Sequence, residues 1–219
     1  MNVTKEQVDA GQALYTPKML GFYDFLIIRL IVPYVWKSPI GSRLRLYNAN
    51  ITSNHLEVGV GSGFYLEKTV FPTGSPRLAL MDLNPNCLEH TAQRMSQYNP
   101  ETYRANILEP IELDIGKFDS IGLNAVIHCL PGTMDTKLVV FDHLKKLLNP
   151  KGVIFGSTIL NIGVEKNWLT NWFMKKYNKR KIFTNLDDDL DTLEKGLKDR
   201  FSKTEIQVTG TVAIFRVEL

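Results

Sequence analysis

Three glycines at alternating positions, Gly59, Gly61 and Gly63, follow a short apolar run. Glycine suits a place where the backbone turns sharply and a ligand comes close to it, because no Cβ stands in the way. The dinucleotide-binding pattern Gly-x-Gly-x-x-Gly would need its third glycine where this chain has Phe64. Glu57, two residues before the first glycine, would repel a phosphate but attract an ammonium group. The segment therefore predicts a binding loop for a cationic ligand rather than for a pyrophosphate.

A second acidic residue, Asp82, ends the next apolar run, 19 residues after Gly63. A carboxylate in this position, at the end of a strand, can accept hydrogen bonds from both hydroxyls of a ribose. The glycine-rich segment alone is also compatible with a purely structural turn. Together with Glu57 and Asp82, it predicts a site for a ligand that carries both a ribose and a positive charge.

Predicted strands and helices alternate along the chain from residue 55 onward. The strands cover residues 55–60, 77–82, 101–107, 118–126, 153–159, 204–208 and 212–218, and the last two form a hairpin around Gly210. The helices run from the glycines to about residue 71 and over 87–98 and 136–148, with a tight turn at 149–152. Residues 161–200 are expected to be helical and charged. This order is typical of one α/β domain with a parallel, doubly wound sheet.

The first 50 residues are amphipathic and predict a helical cap on the main domain, which is expected to cover residues 51–219. Helices are predicted at about 5–14, 17–34 and 43–47. The apolar run at 25–36 contains Arg29 and Pro33 and is too short to cross a bilayer. No membrane span is therefore expected.

The composition is that of an ordinary globular protein, with 219 residues, 44% hydrophobic side chains and a net charge of +3. This balance makes a nucleic-acid partner unlikely on composition, because such partners usually need a concentrated basic face. Cys87 and Cys129 lie outside any metal-ligand or disulfide spacing, and the N-terminus differs from a secretory signal. A cytoplasmic location is the default expectation, and a homodimer stays open.

The residues described so far resemble the class I S-adenosylmethionine-dependent methyltransferases, whose Glu-x-Gly-x-Gly-x-Gly motif is matched from Glu57 to Gly63. The resemblance covers about residues 50–160 and includes Asp82, the segments 105–107 and 118–130, and the sequence Leu-Leu-Asn-Pro-Lys-Gly at 147–152. It implies a Rossmann-like, doubly wound, seven-stranded sheet, mostly parallel with a C-terminal antiparallel hairpin. It also implies S-adenosylmethionine as the cofactor and S-adenosylhomocysteine as the product.

The resemblance further implies a role for each residue of the site. The three glycines would face the methionine moiety, Glu57 would orient its amino-acid end, and Asp82 would hold the ribose. Residues after the strands would supply the other contacts: Leu83 and Asn84 beside the adenine, Asn106 and Ile107 at its border, and Asn124 and Ala125 near the sulfonium. Asn106 departs from the Asp that the family often carries, although an amide oxygen can still accept from the adenine amine. Core packing is an alternative for Leu83 and Ile107.

His128 follows the predicted fourth strand and is the candidate general base, since an unperturbed imidazole has a pKa of about 6.5. A structural or substrate-lining histidine is the alternative. The predicted acceptor contacts are Tyr15 and Tyr23 in the helical cap and Trp168 and Trp172 in the later helical stretch. Packing in the core or at the surface is the alternative for these aromatic residues.

The acceptor class is narrowed by motifs that the chain lacks. Residues 124–127, Asn-Ala-Val-Ile, stand where methyltransferases of adenine or glutamine carry Asn/Asp-Pro-Pro-Tyr. The acids and asparagine of metal-dependent catechol enzymes are not recognisable, so no metal is predicted. The basic run at 175–181 is better explained as a solvated helix end than as a phosphate site, because aspartates at 187–191 balance it.

The sequence therefore predicts transfer of a methyl group to an oxygen or nitrogen atom of a small-molecule acceptor, such as a specialised metabolite. Three alternatives stay open. They are an RNA or protein methyltransferase, a non-catalytic S-adenosylmethionine-binding partner subunit, and a dehydrogenase, which the loop spacing disfavours.

Overall fold

The computed structural model of this chain describes Leu20, Phe22 and residues 24–219. Within that part of the chain, seven strands form one mixed sheet with the order β3-β2-β1-β4-β5-β7-β6. Strands β1 to β5 are parallel, whereas β7 runs antiparallel to both β5 and β6. The bounds are β1 Asn54–Val58, β2 Arg77–Asp82, β3 Glu101–Arg104, β4 Phe118–Asn124, β5 Leu148–Ile159, β6 Lys203–Thr209 and β7 Val212–Glu218. The predicted Rossmann-like sheet with its C-terminal hairpin is confirmed.

Helices cover both faces of the sheet. A π-helical segment, Asp24–Ile31, continues into the short helix α1, Val32–Tyr34. The other helices are α2 Ile40–Asn50, α3 Phe64–Lys68, α4 Pro85–Arg94, α5 Met134–Lys137, α6 Val139–Lys145, α7 Trp168–Lys179 and α8 Leu190–Lys198. The helix predicted at 5–14 lies outside the described residues.

The hydrophobic core lies on both sides of the central strands. Successive side chains of a strand point to opposite faces. Ala79 and Met81 of β2 therefore join the cluster around Phe141, whereas Leu78 and Leu80 join the cluster that includes α3 and α4. Because both faces are covered, a ligand can reach the sheet most easily at the ends of the strands.

Two predictions for the segment around residue 148 were wrong. The single helix predicted at 136–148 is divided into α5 and α6 at Leu138. The turn predicted at 149–152 lies within β5, because Leu148 already pairs with Phe118. The next pairing, between Val153 and Ser120, shows that β5 bulges at this point. The proline and glycine of the segment thus mark a bulge rather than a loop.

Candidate active site

The glycine loop joins β1 to α3 at the carboxyl ends of the parallel strands. Its three glycines have positive φ angles of 69° at Gly59, 53° at Gly61 and 71° at Gly63. A Cβ on Gly59 would lie 2.2 Å from Cγ2 of Val126, so a larger residue would clash with the segment after β4. At Gly61, by contrast, a Cβ would meet nothing within 4 Å. The loop is therefore packed on one side and open on the other.

Asp82 ends β2 directly opposite this loop. Its Oδ1 accepts a hydrogen bond of 2.8 Å from the backbone N–H of Asn84. Burial raises the pKa of the Asp82 carboxyl, while hydrogen bonds from the backbone N–H groups of Asn84, Gly61 and Val60 act to lower it. The carboxyl group is thus held against the glycine loop, where it can accept further hydrogen bonds.

A first cavity opens between the glycine loop and the ends of β2, β3 and β4. It is lined by eight of the predicted cofactor residues: Gly59, Gly61, Asp82, Leu83, Asn84, Asn106, Ile107 and Ala125. Its walls also include apolar and sulfur-containing residues that were not predicted to contact the cofactor, such as Val58, Met81, Cys87, Leu108, Val126, Cys129 and Leu130. The first cavity therefore combines one acidic group with a mostly apolar wall.

Asn106 closes a turn at the edge of the first cavity. Its Oδ1 accepts from the backbone N–H of Leu108 at 3.1 Å, and its Nδ2 donates to Oε1 of Glu109 at 2.9 Å. This turn explains why β3 ends at Arg104 rather than at the predicted residue 107. The amide oxygen of Asn106 thus already accepts one hydrogen bond from the backbone, although an amide oxygen can accept a second.

A second cavity lies on the other side of the glycine loop and shares Gly59 and Ala125 with the first. The remaining predicted cofactor residues line it: Glu57, Gly63 and Asn124. It is also lined by the helical residues Ile28, Val32, Arg43 and Tyr47 and by Tyr65 of α3. Sequence reasoning missed Arg43 and Tyr47, although their spacing of four residues on α2 places them on one helix face.

Glu57 is buried, with 4% of its surface exposed, and is held by two side chains. The hydroxyl of Tyr47 donates to its Oε1 at 2.5 Å, and Nε2 of His55 lies 3.0 Å from its Oε2. The other ring nitrogen of His55 lies 2.8 Å from Oγ of Ser120. Burial, and secondarily Glu57, raise the pKa of Tyr47 well above its ordinary value, so this phenol stays a donor. The carboxylate is therefore fixed in direction beneath the glycine loop.

Asn124 and Ala125 lie where the two cavities meet. Oδ1 of Asn124 accepts from the hydroxyl of Ser157 at 2.5 Å. Ala125 has a φ angle of 60°, and its N–H donates to the carbonyl of Ser157 at 2.8 Å. A left-handed backbone at a residue other than glycine is uncommon and is often found at functional sites.

His128 is buried and lies among the lining residues of neither cavity. Its Nδ1 accepts from the backbone N–H of Ile159 at 3.3 Å, and its ring lies edge-on to Phe183 at 4.5 Å. Burial, with smaller effects from Lys137 and Arg43, lowers the pKa of His128 to about 3. These contacts favour the structural alternative, and a role as general base stays a prediction.

The two tryptophans among the predicted acceptor contacts do not line these cavities. Trp168 and Trp172 lie on α7, are 78% and 50% exposed, and line neither cavity. The amino group of Lys176 lies 4.4 Å above the ring of Trp172. Tyr15 and Tyr23 lie outside the described residues, so all four aromatic contacts stay predictions.

Asp24 ties the N-terminal helical segment to the glycine loop. Its Oδ1 accepts from the hydroxyl of Ser62 at 2.5 Å, and its Oδ2 accepts from Nη1 of Arg94 at 2.7 Å. Arg94 also donates to the carbonyl of Ser62 at 2.9 Å and to Glu67 at 2.8 Å. Arg94 and Lys68 lower the pKa of Glu67 to about 2. The segment that begins at Asp24 therefore forms one wall of the second cavity.

Neither a metal-binding cluster nor a membrane-spanning helix is found in the described residues. Among them, no group of three or more His, Cys, Asp or Glu side chains is placed to hold a metal ion. No helix in the same part of the chain is both long and apolar enough to cross a membrane.

Comparison with known proteins bears directly on this site. A family model described as a methyltransferase domain matches residues 56–154. Demethylluteothin O-methyltransferase of Streptomyces thioluteus is 39% identical over 212 residues, which cover 96% of this chain and 92% of that protein. The physcion biosynthesis cluster O-methyltransferase of Aspergillus chevalieri is 33% identical, over 95% of this chain and 94% of that protein.

A solved structure with the same fold is the N-methyltransferase NodS from Bradyrhizobium japonicum WM9 in complex with S-adenosyl-L-homocysteine. It is 17% identical, has a TM-score of 0.57, and the match covers 81% of this chain and 84% of that chain. At this identity the similarity supports the fold alone.

Proposed function

Because this chain belongs to the class I S-adenosylmethionine-dependent methyltransferases, we propose that it methylates an oxygen or nitrogen atom of a small-molecule acceptor from specialised metabolism. The observation that carries this proposal is the nearly full-length similarity to two O-methyltransferases whose names refer to small molecules. The matches cover 92% and 94% of the two relatives. The unmatched parts are too short for a separate macromolecule-binding domain, which supports a small acceptor.

The residues around the two cavities fit S-adenosylmethionine. The half-buried carboxyl group of Asp82 suits the ribose hydroxyls, because it can accept two hydrogen bonds at once. Leu83, Asn84, Asn106 and Ile107 would border the adenine, for which the apolar wall of the first cavity is suited. The open side of Gly61 leaves room for a ligand to approach the backbone.

The second cavity would take the amino-acid end of the cofactor. Glu57 is buried there as a carboxylate that accepts hydrogen bonds from Tyr47 and His55, and it can attract an ammonium group. Gly59 and Ala125 line both cavities, so a ligand that fills both would lie beside these two residues. We therefore assign Asn124 and Ala125 to the neighbourhood of the reacting centre.

S-adenosylmethionine supplies a methyl group that its sulfonium has already activated. The chain would contribute mainly by holding acceptor and methyl carbon in line and by keeping water out. Such positioning contributes about 7–11 kcal/mol in favourable intramolecular reactions. A base is needed only if the acceptor atom carries a proton that must leave first. Since the pKa of His128 is lowered to about 3, that histidine would be a weak base in this environment.

The proposal is tested by incubating the protein with S-adenosylmethionine and a panel of phenols, enols and amines. Mass spectrometry should detect an acceptor that has gained one methyl group together with an equal amount of S-adenosylhomocysteine. A matched reaction with total RNA and with a protein extract serves as the control for the other acceptor classes. Methylation confined to RNA or protein, or cofactor binding with no S-adenosylhomocysteine from any acceptor, would contradict the proposal.

A further inference from the structure

Arg43 is a buried cation whose contacts in the described chain are all to uncharged groups. It is 3% exposed and lies in the first turn of α2. Its Nε donates to the hydroxyl of Tyr65 at 2.9 Å, and its Nη2 donates to the carbonyl of Ser38 at 3.2 Å. Within the described residues, no ion pair includes Arg43. A guanidinium has five N–H donors, and burying it without an anion is costly.

The environment of Arg43 indicates what kind of anion it can bind. Arg43 lines the second cavity together with Glu57, Tyr65 and the glycine loop. Tyr47, one turn further along α2, donates a hydrogen bond to Glu57. Arg43 and the residue that holds Glu57 therefore lie on the same face of α2. The rings of Tyr47 and Tyr65 stack at 5.6 Å, which fixes the two hydroxyls relative to each other. The second cavity is thus lined by both a buried cation and a buried anion.

A ligand that matches this pair must itself carry both charges. A free α-amino acid end does so, with an ammonium for Glu57 and a carboxylate for Arg43. A planar guanidinium can donate two parallel hydrogen bonds to a carboxylate, and the Tyr65 hydroxyl next to it is a further donor. A phosphate or sulfate would be attracted by Arg43 but repelled by Glu57.

We propose that Arg43, assisted by Tyr65, binds the α-carboxylate of S-adenosylmethionine, while Glu57 binds its ammonium group. This inference rests on the proposed function, because it needs S-adenosylmethionine as the ligand of the site. It assigns the N-terminal helices a part in cofactor recognition, since Arg43 lies outside the region matched by the methyltransferase family model. Arg43 is therefore a cofactor-binding residue rather than a packing residue of α2.

Calorimetric titration of three ligands into the full chain tests the proposal. S-adenosylmethionine carries the carboxylate, decarboxylated S-adenosylmethionine keeps the ammonium and the sulfonium but lacks the carboxylate, and 5′-methylthioadenosine lacks the whole amino-acid end. The variants are Arg43→Met, the charge-conserving Arg43→Lys, and Arg45→Met as a matched control on the exposed side of the same helix.

In the unaltered protein, removal of the carboxylate should raise Kd by about 30-fold or more, the effect of losing one member of a buried charge pair. In Arg43→Met, S-adenosylmethionine and its decarboxylated form should bind equally weakly, and Arg43→Lys should recover part of the difference. Arg45→Met should behave as the unaltered protein. Unchanged 5′-methylthioadenosine binding shows that Arg43→Met is folded. If Arg43→Met does not fold, the test uses the unaltered protein and Arg43→Lys. In each, the Kd of decarboxylated S-adenosylmethionine is compared with the Kd of S-adenosylmethionine, and the ratio should be smaller in Arg43→Lys.

Two results would overturn the inference while leaving the proposed function intact. In one, Arg43→Met weakens binding of S-adenosylmethionine and of its decarboxylated form by the same factor. In the other, Arg43→Met leaves the cofactor Kd unchanged and raises only the KM of the acceptor, which would assign Arg43 to an acceptor anion. Failure of the unaltered protein to bind any of the three ligands would overturn both the inference and the proposed function.

Discussion

The buried ion pair between Lys137 and Asp188 holds the segment next to the first cavity. Both side chains are 0% exposed, and Nζ of Lys137 lies 2.7 and 2.8 Å from the two carboxylate oxygens of Asp188. The same amino group donates to the carbonyl of Thr184 at 2.7 Å. The backbone N–H of Thr184 donates in turn to the carbonyl of His128, and its hydroxyl donates to the carbonyl of Leu130. Since Leu130 lines the first cavity, the pair supports part of the site.

We expect Lys137→Met to destabilise the protein strongly, because methionine fills the space but leaves the carboxylate of Asp188 buried without a partner. Removal of one member of a buried pair costs about 3–5 kcal/mol. For a chain of this length, each kcal/mol lowers Tm by about 2–4 °C, so Tm should fall by about 6–20 °C. Replacing both residues, by Lys137→Met with Asp188→Leu, should recover much of this loss.

Thermal unfolding followed by circular dichroism measures the effect. Burial raises the pKa of Asp188 to about 6 even with Lys137 present, so in Lys137→Met the carboxyl should take up a proton readily. The folded state is then favoured at low pH, and the loss of Tm should be smaller at pH 5 than at pH 8. Lys198→Met, which breaks an exposed pair with Glu194, is the control and should change stability by less than about 0.5 kcal/mol. A fall in Tm no larger than in Lys198→Met would refute this reasoning.

Three other perturbations test separate parts of the account. In urea titrations, Gly59→Ala should lower the free energy of unfolding by about 1–3 kcal/mol more than Gly61→Ala, because only a Cβ at position 59 would clash with Val126. Equal losses would show that backbone conformation alone matters. The pKa of His128 is lowered to about 3 in the folded protein, so below pH 6.5 the unfolded chain binds more protons at this residue than the folded chain does. The contribution of His128 to the free energy of unfolding should therefore fall by about 2 kcal/mol from pH 7 to pH 5. His128→Asn should remove that part of the pH dependence, and an unchanged slope would contradict the burial argument. Asp24→Asn should raise the Kd of S-adenosylmethionine by about threefold to tenfold with little change in Tm. The reason is that the partly exposed bonds of Asp24 to Ser62 and Arg94 connect the N-terminal helical segment to the glycine loop. An unchanged Kd would contradict that connection.

Local patterns in the sequence were enough to predict the strands of the sheet and the glycine loop. The apolar residues of β2 and the carboxylate of Asp82 give its bounds, 77–82, to the residue. The glycines predicted a turn that the structure confirms with three positive φ angles. Each of these features depends on residues close together in the sequence, so spacing alone carries the information.

Side-chain direction and long-range contacts could not be predicted in this way. His128 follows the fourth strand as expected, but its ring turns toward Phe183 and the backbone of Ile159, far along the chain. Arg43 was predicted only to lie on a helix at 43–47. Its burial could not be predicted, because it depends on Tyr65 of another helix. The bulge at residues 149–152 is decided by pairing with β4, which a local turn pattern does not include.

Calorimetric titration of S-adenosylmethionine, S-adenosylhomocysteine and NADH into the unaltered protein and into Asp82→Asn tests the central claim most directly. We predict micromolar binding of the first two ligands and none of NADH. In Asp82→Asn, both affinities should fall by at least about tenfold, because an amide replaces the half-buried carboxylate that would accept from the ribose. Binding of NADH alone, or of no ligand, would contradict the claim that this site is built for S-adenosylmethionine. An unchanged affinity in Asp82→Asn would contradict the assigned role of Asp82.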